Sequence, residues 1–399
     1  MKERILVVHN AYQQRGGEDT VVEAEINLLR SNGHEVETFF EHNDDLISMS
    51  KFSAVKRTFW SSTTQQRFET IVKKFRPDIL HAHNTFPLIS PSVFWSAARH
   101  GIPTIQTLHN FRLHCPQAMY LRDGVICEDC LGKIPWRAAM RGCYRGSRLQ
   151  SSVLAGMLTF HGAIGTWSDK VTRYIALNDF CRDKLIEGGL PADKIRVKPN
   201  FCEVPHSPQQ NRKGFLFVGR ISHEKGITTL ATAASLAPFS IKVIGDGPAR
   251  DSLNDVPGLT YLGKLPADAV RQAMGEAEAL IMPSTWYEGF PMVIVESFAN
   301  SLPVIASRLG SMLELVEDGT TGLLFEPGNA KDLAAKVRWA IENPKRMREM
   351  GLMARAKYES YYRASINYEQ LVGIYREAIK NQQDEPPPVG GRTKNMHRD

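Results

Sequence analysis

The sequence predicts an α/β protein built from two domains, each with a parallel sheet that helices cover on both faces. Short apolar runs alternate with helical patterns in both halves of the chain, which is typical of parallel sheets. A segment rich in Pro, Gln and Asn at 199–213 interrupts this alternation. The chain of 399 residues is also too long for one ordinary core. We therefore expect two Rossmann-like, doubly wound domains that face each other across a cleft.

The first domain is predicted to span residues 1–200. Its first strand, at 4–9, leads through a turn containing Gly16 and Gly17 into a helical pattern. Glycines at such a turn let backbone N–H groups face a phosphate at the helix start, and a tight turn without a ligand explains them equally well. The other elements predicted here are strands at 35–40, 79–83, 104–109, 174–177 and 194–198, and helices at 18–30, 64–75 and 91–100.

A linker at 201–213 is predicted to lead into the second domain at 214–364. Its strands are expected at 214–219, 240–244, 259–262, 279–282 and 303–306. An amphipathic helix at 365–380 and a tail at 381–399, rich in Pro and Gly and expected to be disordered, complete the chain. Because open parallel sheets bind ligands beyond the carboxyl ends of their strands, we expect the site in the cleft.

Composition narrows the classes of function. The net charge of +6 comes from 49 basic and 43 acidic residues, and we find no nucleic-acid-binding motif. No apolar run approaches the length needed to span a bilayer, and the N-terminus opens directly into a strand pattern rather than a signal peptide. We therefore expect a cytoplasmic protein without nucleic-acid partners. In that compartment six cysteines argue against a disulfide framework.

The stretch 279–299 combines a buried strand, a polar loop and an apolar helix. Glu288 and Gly289 lie on the strand-to-helix turn, Pro291 suits the first turn of the helix, and Glu296 lies more than one turn further on. A helix N-terminus favours phosphate, and carboxylates accept hydrogen bonds from sugar hydroxyls. The pattern therefore suggests a ligand with a sugar and a diphosphate, although two solvated glutamates would explain it as well.

A second cluster follows the first strand of the second domain. Arg220 and Lys225 bracket a space of phosphate size, and together they could neutralise a diphosphate leaving group. The alternative is a pair of ordinary surface cations. Their position at the carboxyl end of a strand favours the site.

Glu288-Gly289-Phe290-Pro291, with Glu296 eight residues after Glu288, resembles the paired-glutamate motif of the family 4 retaining glycosyltransferases. These enzymes have the two-domain fold called GT-B. The resemblance implies that Glu288, with Gly289 and Phe290, contacts the donor sugar, and that Glu296 holds the ribose hydroxyls.

Further stretches resemble the same family. The segment from Arg220 to Gly226 is similar to its Arg-x-x-x-x-Lys-Gly motif, which implies that Arg220 and Lys225 stabilise the departing diphosphate. His109 matches the family's donor-sugar histidine, although a lone histidine is more often structural. The turn at Gly245 matches one near the nucleotide base. The resemblance also implies that the last helix crosses back onto the first domain.

One turn departs from the family pattern. Gly310 stands where the family commonly has two successive glycines, and the second of these is Ser311 here. Gly310 remains a candidate for a backbone contact with the diphosphate. The serine puts an unaltered transfer of the family's contacts to this turn in doubt.

An insertion at 111–148 carries four cysteines, Cys115, Cys127, Cys130 and Cys143. Four thiols, of which two form a Cys-x-x-Cys pair, can enclose a structural zinc ion. Reduced structural thiols or a redox pair are the alternatives. The insertion also has basic residues interleaved with aromatic ones, which suggests an acceptor or membrane role or, as readily, a solvated basic surface: Arg112, Arg122, Lys133, Arg137, Arg141, Arg145, Arg148, Tyr120, Trp136 and Tyr144.

The residue patterns and the resemblance together predict a glycosyltransferase, and the resemblance implies that it retains the anomeric configuration. It would move a sugar from a UDP- or GDP-sugar to a glycan or lipid-linked acceptor in cell-surface polysaccharide biosynthesis, at the inner face of the membrane. No Asp-x-Asp motif occurs, so we expect transfer to need no metal cofactor. A sugar-nucleotide epimerase or hydrolase of the same fold, or a non-catalytic sugar-nucleotide-binding protein, are the alternatives.

Overall fold

A computed structural model describes residues 2–13, 16–204, 212–237 and 239–384. It contains two six-stranded sheets in which all strands run parallel, and so confirms the predicted two-domain α/β fold. Most of the predicted linker, at 205–211, and the end of the predicted disordered tail, at 385–399, lie outside the described residues. Among the helices of the described part, none has both the length and the apolar character that crossing a membrane requires.

The first sheet has the strand order β2-β1-β3-β4-β7-β8. The elements of this half are β1 (Arg4–Ala11), α1 (Gly17–Ser31), β2 (Glu35–His42), α2 (Lys51–Phe59), α3 (Ser62–Phe75), β3 (Ile79–Asn84), α4 (Ser92–Arg99), β4 (Thr104–Thr107), β5 (Leu121–Arg122), β6 (Val125–Ile126), α5 (Trp136–Arg141), α6 (Arg148–Ala163), α7 (Thr166–Asp169), β7 (Arg173–Ala176), α8 (Asp179–Glu187) and β8 (Ile195–Val197). Strands β5 and β6 form a small antiparallel hairpin inside the insertion.

The second sheet has the order β11-β10-β9-β12-β13-β14. Its half contains β9 (Phe215–Val218), α9 (Ile227–Leu236), β10 (Ile241–Ile244), β11 (Leu259–Gly263), α10 (Ala267–Glu276), β12 (Ala279–Met282), α11 (Met292–Ala299), β13 (Val304–Ser307), α12 (Met312–Leu315), β14 (Gly322–Phe325), α13 (Ala330–Glu342), α14 (Pro344–Tyr361) and α15 (Ala364–Asp384). The strand order reverses between β9 and β12, and the crevice at such a reversal is where doubly wound sheets bind ligands.

The apolar character of the central strands explains their place in the sheets. All four residues of the central strands β12 and β13 are buried, because helices cover both faces of a parallel sheet. Helix α11 begins at Met292, so Pro291 is its N-cap residue. The sequence had indicated a position inside the first turn, one residue further along the helix.

The last helix, α15, packs against the first domain rather than the second. Leu371, Tyr375 and Ala378 join Ile5 and Ile79 in one buried cluster. The side-chain amide of Asn367 donates to the carbonyl oxygen of Pro199 over 2.6 Å. Helix α15 therefore completes one face of the first sheet.

Candidate active site

The two strands at the reversal of the second sheet bring Lys225 and Glu288 together. Strand β9 leads into a short 3-10 turn that ends at Lys225, and β12 leads into the loop that carries Glu288. Lys225 Nζ lies 2.7 Å from Glu288 Oε1. Residues that are 63 positions apart in the sequence therefore form one ion pair at the edge where a ligand is expected.

Gly226 makes this approach possible. Its φ is 75°, and a Cβ atom placed on it would lie 1.8 Å from the carbonyl oxygen of Pro283. The backbone N–H of Thr285 also donates to the carbonyl oxygen of Glu224 over 2.9 Å. The two strand-end loops are thus in direct backbone contact, and any side chain at position 226 would force them apart.

Glu288 is 5% exposed and is held by more than the lysine. Ser284 Oγ donates to Glu288 Oε1 over 2.6 Å and Trp286 Nε1 over 2.9 Å. The Lys225 ammonium also lies 5.6 Å from the centroid of the Trp286 ring. Within the described part of the chain all of these donors converge on Oε1, so Oε2 is the oxygen through which Glu288 would meet a ligand.

Ser311, the residue that departs from the family pattern, has a definite structural role. Its buried hydroxyl donates to the backbone carbonyl oxygen of Glu288 over 2.7 Å. Gly310 precedes it with a φ of 54°, and a Cβ atom there would press on Tyr287 and Phe180 at 3.1 and 3.3 Å. The serine thus fixes the loop that presents Glu288, a contact that the sequence analysis missed.

The same loop meets the first domain at Gly289. Its carbonyl oxygen accepts a hydrogen bond from Asn178 Nδ2 over 2.7 Å, and a Cβ atom on Gly289 would lie 2.7 Å from the carbonyl oxygen of His109. Glu314 of the second domain accepts backbone N–H groups of Asp179 and Phe180. His109 and the glutamate loop therefore adjoin across the domain boundary.

His109 lies just past β4, and its imidazole is partly exposed. Its Nε2 is 2.9 Å from His83 Nδ1, and the two rings stack with centroids 5.3 Å apart. Burial lowers the pKa of His109 to about 3. The ring is therefore neutral near pH 7 and offers a hydrogen-bonding nitrogen rather than a charge.

The other predicted side chains of this site differ in their surroundings. Glu296 is half-buried on α11, and burial raises its pKa, an effect that the charge of Arg271 opposes. Arg220 is exposed at the turn after β9. Phe290 is half-buried and packs edge-on against Tyr362 with centroids 6.0 Å apart, so the structure gives it a packing contact.

Two of the predicted glycine contacts have a local structural explanation. The N–H of Gly16 donates to Asp19 Oδ2 over 2.8 Å, which caps α1. Gly17, the first residue of α1, has open space beside its Cα. Gly245 has a φ of 141°, and a Cβ atom there would lie 1.8 Å from the carbonyl oxygen of Gly219.

The four cysteines of the insertion are all reduced, and they lie near one another. Burial and the neighbouring thiols Cys115, Cys143 and Cys127 raise the pKa of Cys130 to about 11. Within the described residues, the trio of potential metal ligands whose atoms all lie within 4.8 Å of one another is a different one, Glu25, His81 and His83. The cysteines thus form a loose cluster.

Some of the basic and aromatic residues of the insertion are buried or form ion pairs, whereas others are exposed. Tyr120 is buried and packs on Phe111 with centroids 4.9 Å apart, which corrects the expectation that it belongs to a basic surface. Arg137 and Arg141 both pair with Asp129. Trp136, by contrast, is exposed.

Comparison with known proteins gives two adjoining matches to family models. Residues 15–204 match the model "Glycosyltransferase Family 4" and residues 203–357 match the model "Glycosyl transferases group 1". The sulfoquinovosyl transferase of Arabidopsis thaliana is 31% identical over 304 residues, which cover 73% of this chain and 55% of that protein. The aligned segments span only 40 to 64% of the first curated relatives.

Solved structures resemble the whole fold. A sucrose-phosphate synthase from Thermosynechococcus elongatus matches with a TM-score of 0.70 at 16% identity, covering 95% of this chain and 100% of that one. Anabaena HepE, solved in complex with UDP, matches with a TM-score of 0.65 at 17% identity, covering 96% and 100%. At such low sequence identity, these structural similarities are evidence for the fold alone.

Proposed function

Since this chain belongs to the family 4 glycosyltransferases and has their GT-B fold, we propose that it transfers a sugar from a nucleotide-diphosphate donor to a glycan or lipid-linked acceptor with retention at the anomeric carbon. The observation that carries this proposal is the Lys225–Glu288 pair at the strand-order reversal of the second sheet. A cation and a carboxylate side by side suit a leaving diphosphate and the sugar attached to it, which supports the proposal.

The proposed roles follow from charge and position. Lys225 and Arg220 would stabilise the charge that develops on the departing diphosphate, without a metal ion. Glu288 would accept a hydrogen bond from a donor-sugar hydroxyl through Oε2. Glu296 would hold the ribose hydroxyls, and His109, as a neutral imidazole, would contact a donor hydroxyl from the other side of the cleft.

A panel of nucleotide sugars tests the proposal. We expect one UDP- or GDP-sugar to protect the protein against thermal unfolding, because a ligand at a hundred times its Kd adds about 2.7 kcal/mol of stability. The same sugar should then be consumed only when an acceptor is present. Release of free sugar or of an epimerised donor without acceptor would instead indicate a hydrolase or epimerase. Binding with no turnover on any acceptor would indicate a binding protein.

We propose in addition that the protein meets its acceptor at an anionic membrane surface. Ile47, Phe52 and Leu149 are 78%, 81% and 71% exposed, and α6 packs beside both α2 and α5. An apolar groove between α2 and α6 has Lys51 and Arg145 among its lining residues. Exposed apolar side chains beside cations are the pattern of a surface that lies on anionic lipid.

Sedimentation with vesicles tests whether the protein binds an anionic membrane surface. We expect the protein to sediment with vesicles containing anionic phospholipid and not with neutral ones, and Phe52→Glu with Leu149→Glu to abolish this sedimentation. Leu352→Glu, at an equally exposed leucine of α14, serves as the control. Equal sedimentation of all these proteins would exclude this surface.

For the insertion we propose one structural zinc ion held by Cys115, Cys127, Cys130 and Cys143. The clustering of four reduced thiols in one segment, two of them in a Cys-x-x-Cys pair, supports this. A four-thiolate site is closed to substrate, so its role would be to hold the insertion. Glu128, between the paired cysteines, lies 3.0 Å from Lys184 and contributes to the raised pKa of Tyr287, after burial. The metal would thus also steady a contact beside Glu288.

Metal analysis tests this. We expect about one zinc per chain in protein purified under reducing conditions without chelator, and loss of that zinc in Cys130→Ser. The control variant Cys202→Ala, at a cysteine outside the insertion, should retain it. Chelation should impair acceptor use while nucleotide binding survives. Protein without zinc would leave the insertion as an ordinary loop with free thiols.

A further inference from the structure

A buried group of charged and polar side chains adjoins His109 through His83. Glu25, His81, His83 and Lys198 are each at most 4% exposed. Burial of this many ionisable groups is costly unless every one is paired. The pattern of their hydrogen bonds therefore carries information about which atoms bear protons.

Lys198 and Glu25 form the charged centre of this group. Lys198 Nζ lies 2.5 Å from Glu25 Oε1 and donates to Asn367 Oδ1 of α15 over 3.2 Å. Although burial favours the protonated acid, the charges of Lys198 and His81 leave the pKa of Glu25 below its ordinary value. Glu25 is thus a carboxylate with its Oε1 neutralised. The ammonium also repels a second cation, which disfavours a metal ion at Glu25, His81 and His83.

His81 is occupied on both ring nitrogens. Its Nδ1 lies 2.8 Å from the hydroxyl of Tyr375 on α15, and its Nε2 lies 2.8 Å from Thr107 Oγ1. Its Nδ1 is 3.9 Å from Glu25 Oε2. With its nitrogens engaged, His81 does not compete for that oxygen.

His83 is the remaining partner for Glu25 Oε2. His83 Nε2 lies 3.5 Å from that oxygen, and among the described residues neither of these two buried atoms has a hydrogen-bond partner. Two facing lone pairs would repel, so the arrangement requires the proton on His83 Nε2. His83 Nδ1 is then an acceptor, and the hydrogen in its 2.9 Å contact with His109 must come from His109 Nε2.

We propose that Glu25 is a positioning residue that sets the tautomer of His109 through His83, so that His109 presents its Nδ1 lone pair to the cleft. His109 would then accept a hydrogen bond from a substrate hydroxyl rather than donate one. The assignment of a substrate to His109 rests on the proposed function. The tautomer itself does not, and it can be measured in the free protein.

The test is long-range proton–nitrogen NMR of the full chain labelled with ¹⁵N-histidine, in the absence of any sugar donor. We expect His109 to carry its proton on Nε2, with its signals assigned by their loss in His109→Asn. Finding the proton on Nδ1 would overturn the proposal. Where His109→Asn does not fold, through-bond assignment of the histidine signals in the unmodified protein replaces it, so the test does not depend on a variant.

The substitution Glu25→Gln should reverse the tautomer. Lys198 can only donate, so the amide carbonyl would face Lys198 and the NH₂ group would face His83 Nε2, which must then accept. His83 Nδ1 would carry the proton, and His109 would become the Nδ1–H form. Glu41→Gln makes the same chemical change at another buried glutamate of the first domain, which pairs with Arg57, and as the matched control it should keep the original tautomer. An unchanged His109 spectrum in folded Glu25→Gln would contradict the relay.

Kinetics separate this role from a merely structural one. With the verified donor, we expect Glu25→Gln to lower kcat about tenfold, because a substrate hydroxyl would face a donor instead of an acceptor, while Kd for the bare nucleotide stays unchanged. A reversed tautomer with unchanged kcat would show that His109 does not accept a substrate hydroxyl. That outcome would leave the glycosyltransferase assignment intact.

Discussion

Lys225→Ala is expected to lower kcat by about 100- to 1000-fold with a verified donor, since a cation aimed at a leaving group acts chiefly in the transition state. The geometry sharpens this expectation. Lys225 Nζ contacts Glu288 Oε1 at 2.7 Å, so the substitution removes the leaving-group cation and also leaves the Glu288 carboxylate with the neutral donors Ser284 and Trp286. Arg220→Ala should act in the same direction.

Folding should be affected far less by Lys225→Ala. The lysine side chain is 21% exposed, and Glu288 keeps two hydrogen bonds from residues of its own loop. Lys242→Ala is a suitable control, because it removes the same charge from an exposed pair with Glu276 on the same domain. Near-normal transfer by both Lys225→Ala and Arg220→Ala would show that the leaving group lies elsewhere.

The sheets were predictable from the sequence because their strands are buried on both faces. Runs such as the one at β12 are short, continuous and apolar, and all of their residues are buried in the structure. β14 was missed, although its short apolar run lies between Asp318-Gly319 and Pro327-Gly328, which are turn signals. Helices α2 and α6 were missed as well. The N-cap bond of α2, from Ser53 N–H to Ser50 Oγ, is a local signal that could have located its start.

The sequence motifs identified the residues of the candidate site, but they did not show which side chains these residues contact. Glu288 and Lys225 were identified separately, whereas their ion pair depends on the backbone contact at Gly226. The pairing of Glu25 with Lys198 joins positions 173 apart, and nothing in either local sequence marks it. The role of Ser311 was missed for the same reason. Such contacts follow from tertiary packing.

The second large effect is expected from Glu288→Gln, which should lower kcat about 100-fold and leave the affinity for nucleoside diphosphate nearly unchanged. Glutamine keeps the length and shape of the side chain, so Ser284 and Trp286 can still donate to its oxygen. The negative charge beside Lys225 is lost, however, and the group facing the donor sugar becomes an NH₂ that donates. The loss therefore falls on interactions made with the sugar during transfer.

Glu296→Gln is the matched comparison, because it makes the same chemical change eight positions further along, on α11. Glu296 is half-buried, and within the described residues it forms no ion pair like that of Glu288. If its carboxylate holds the ribose hydroxyls, Kd for the nucleoside diphosphate should rise about tenfold for one lost charged hydrogen bond, with a smaller change in kcat. Calorimetric titration of both variants with the bare nucleotide, beside transfer assays, separates the two roles. Equal losses of nucleotide affinity in the two variants would place Glu288 against the nucleotide rather than the sugar.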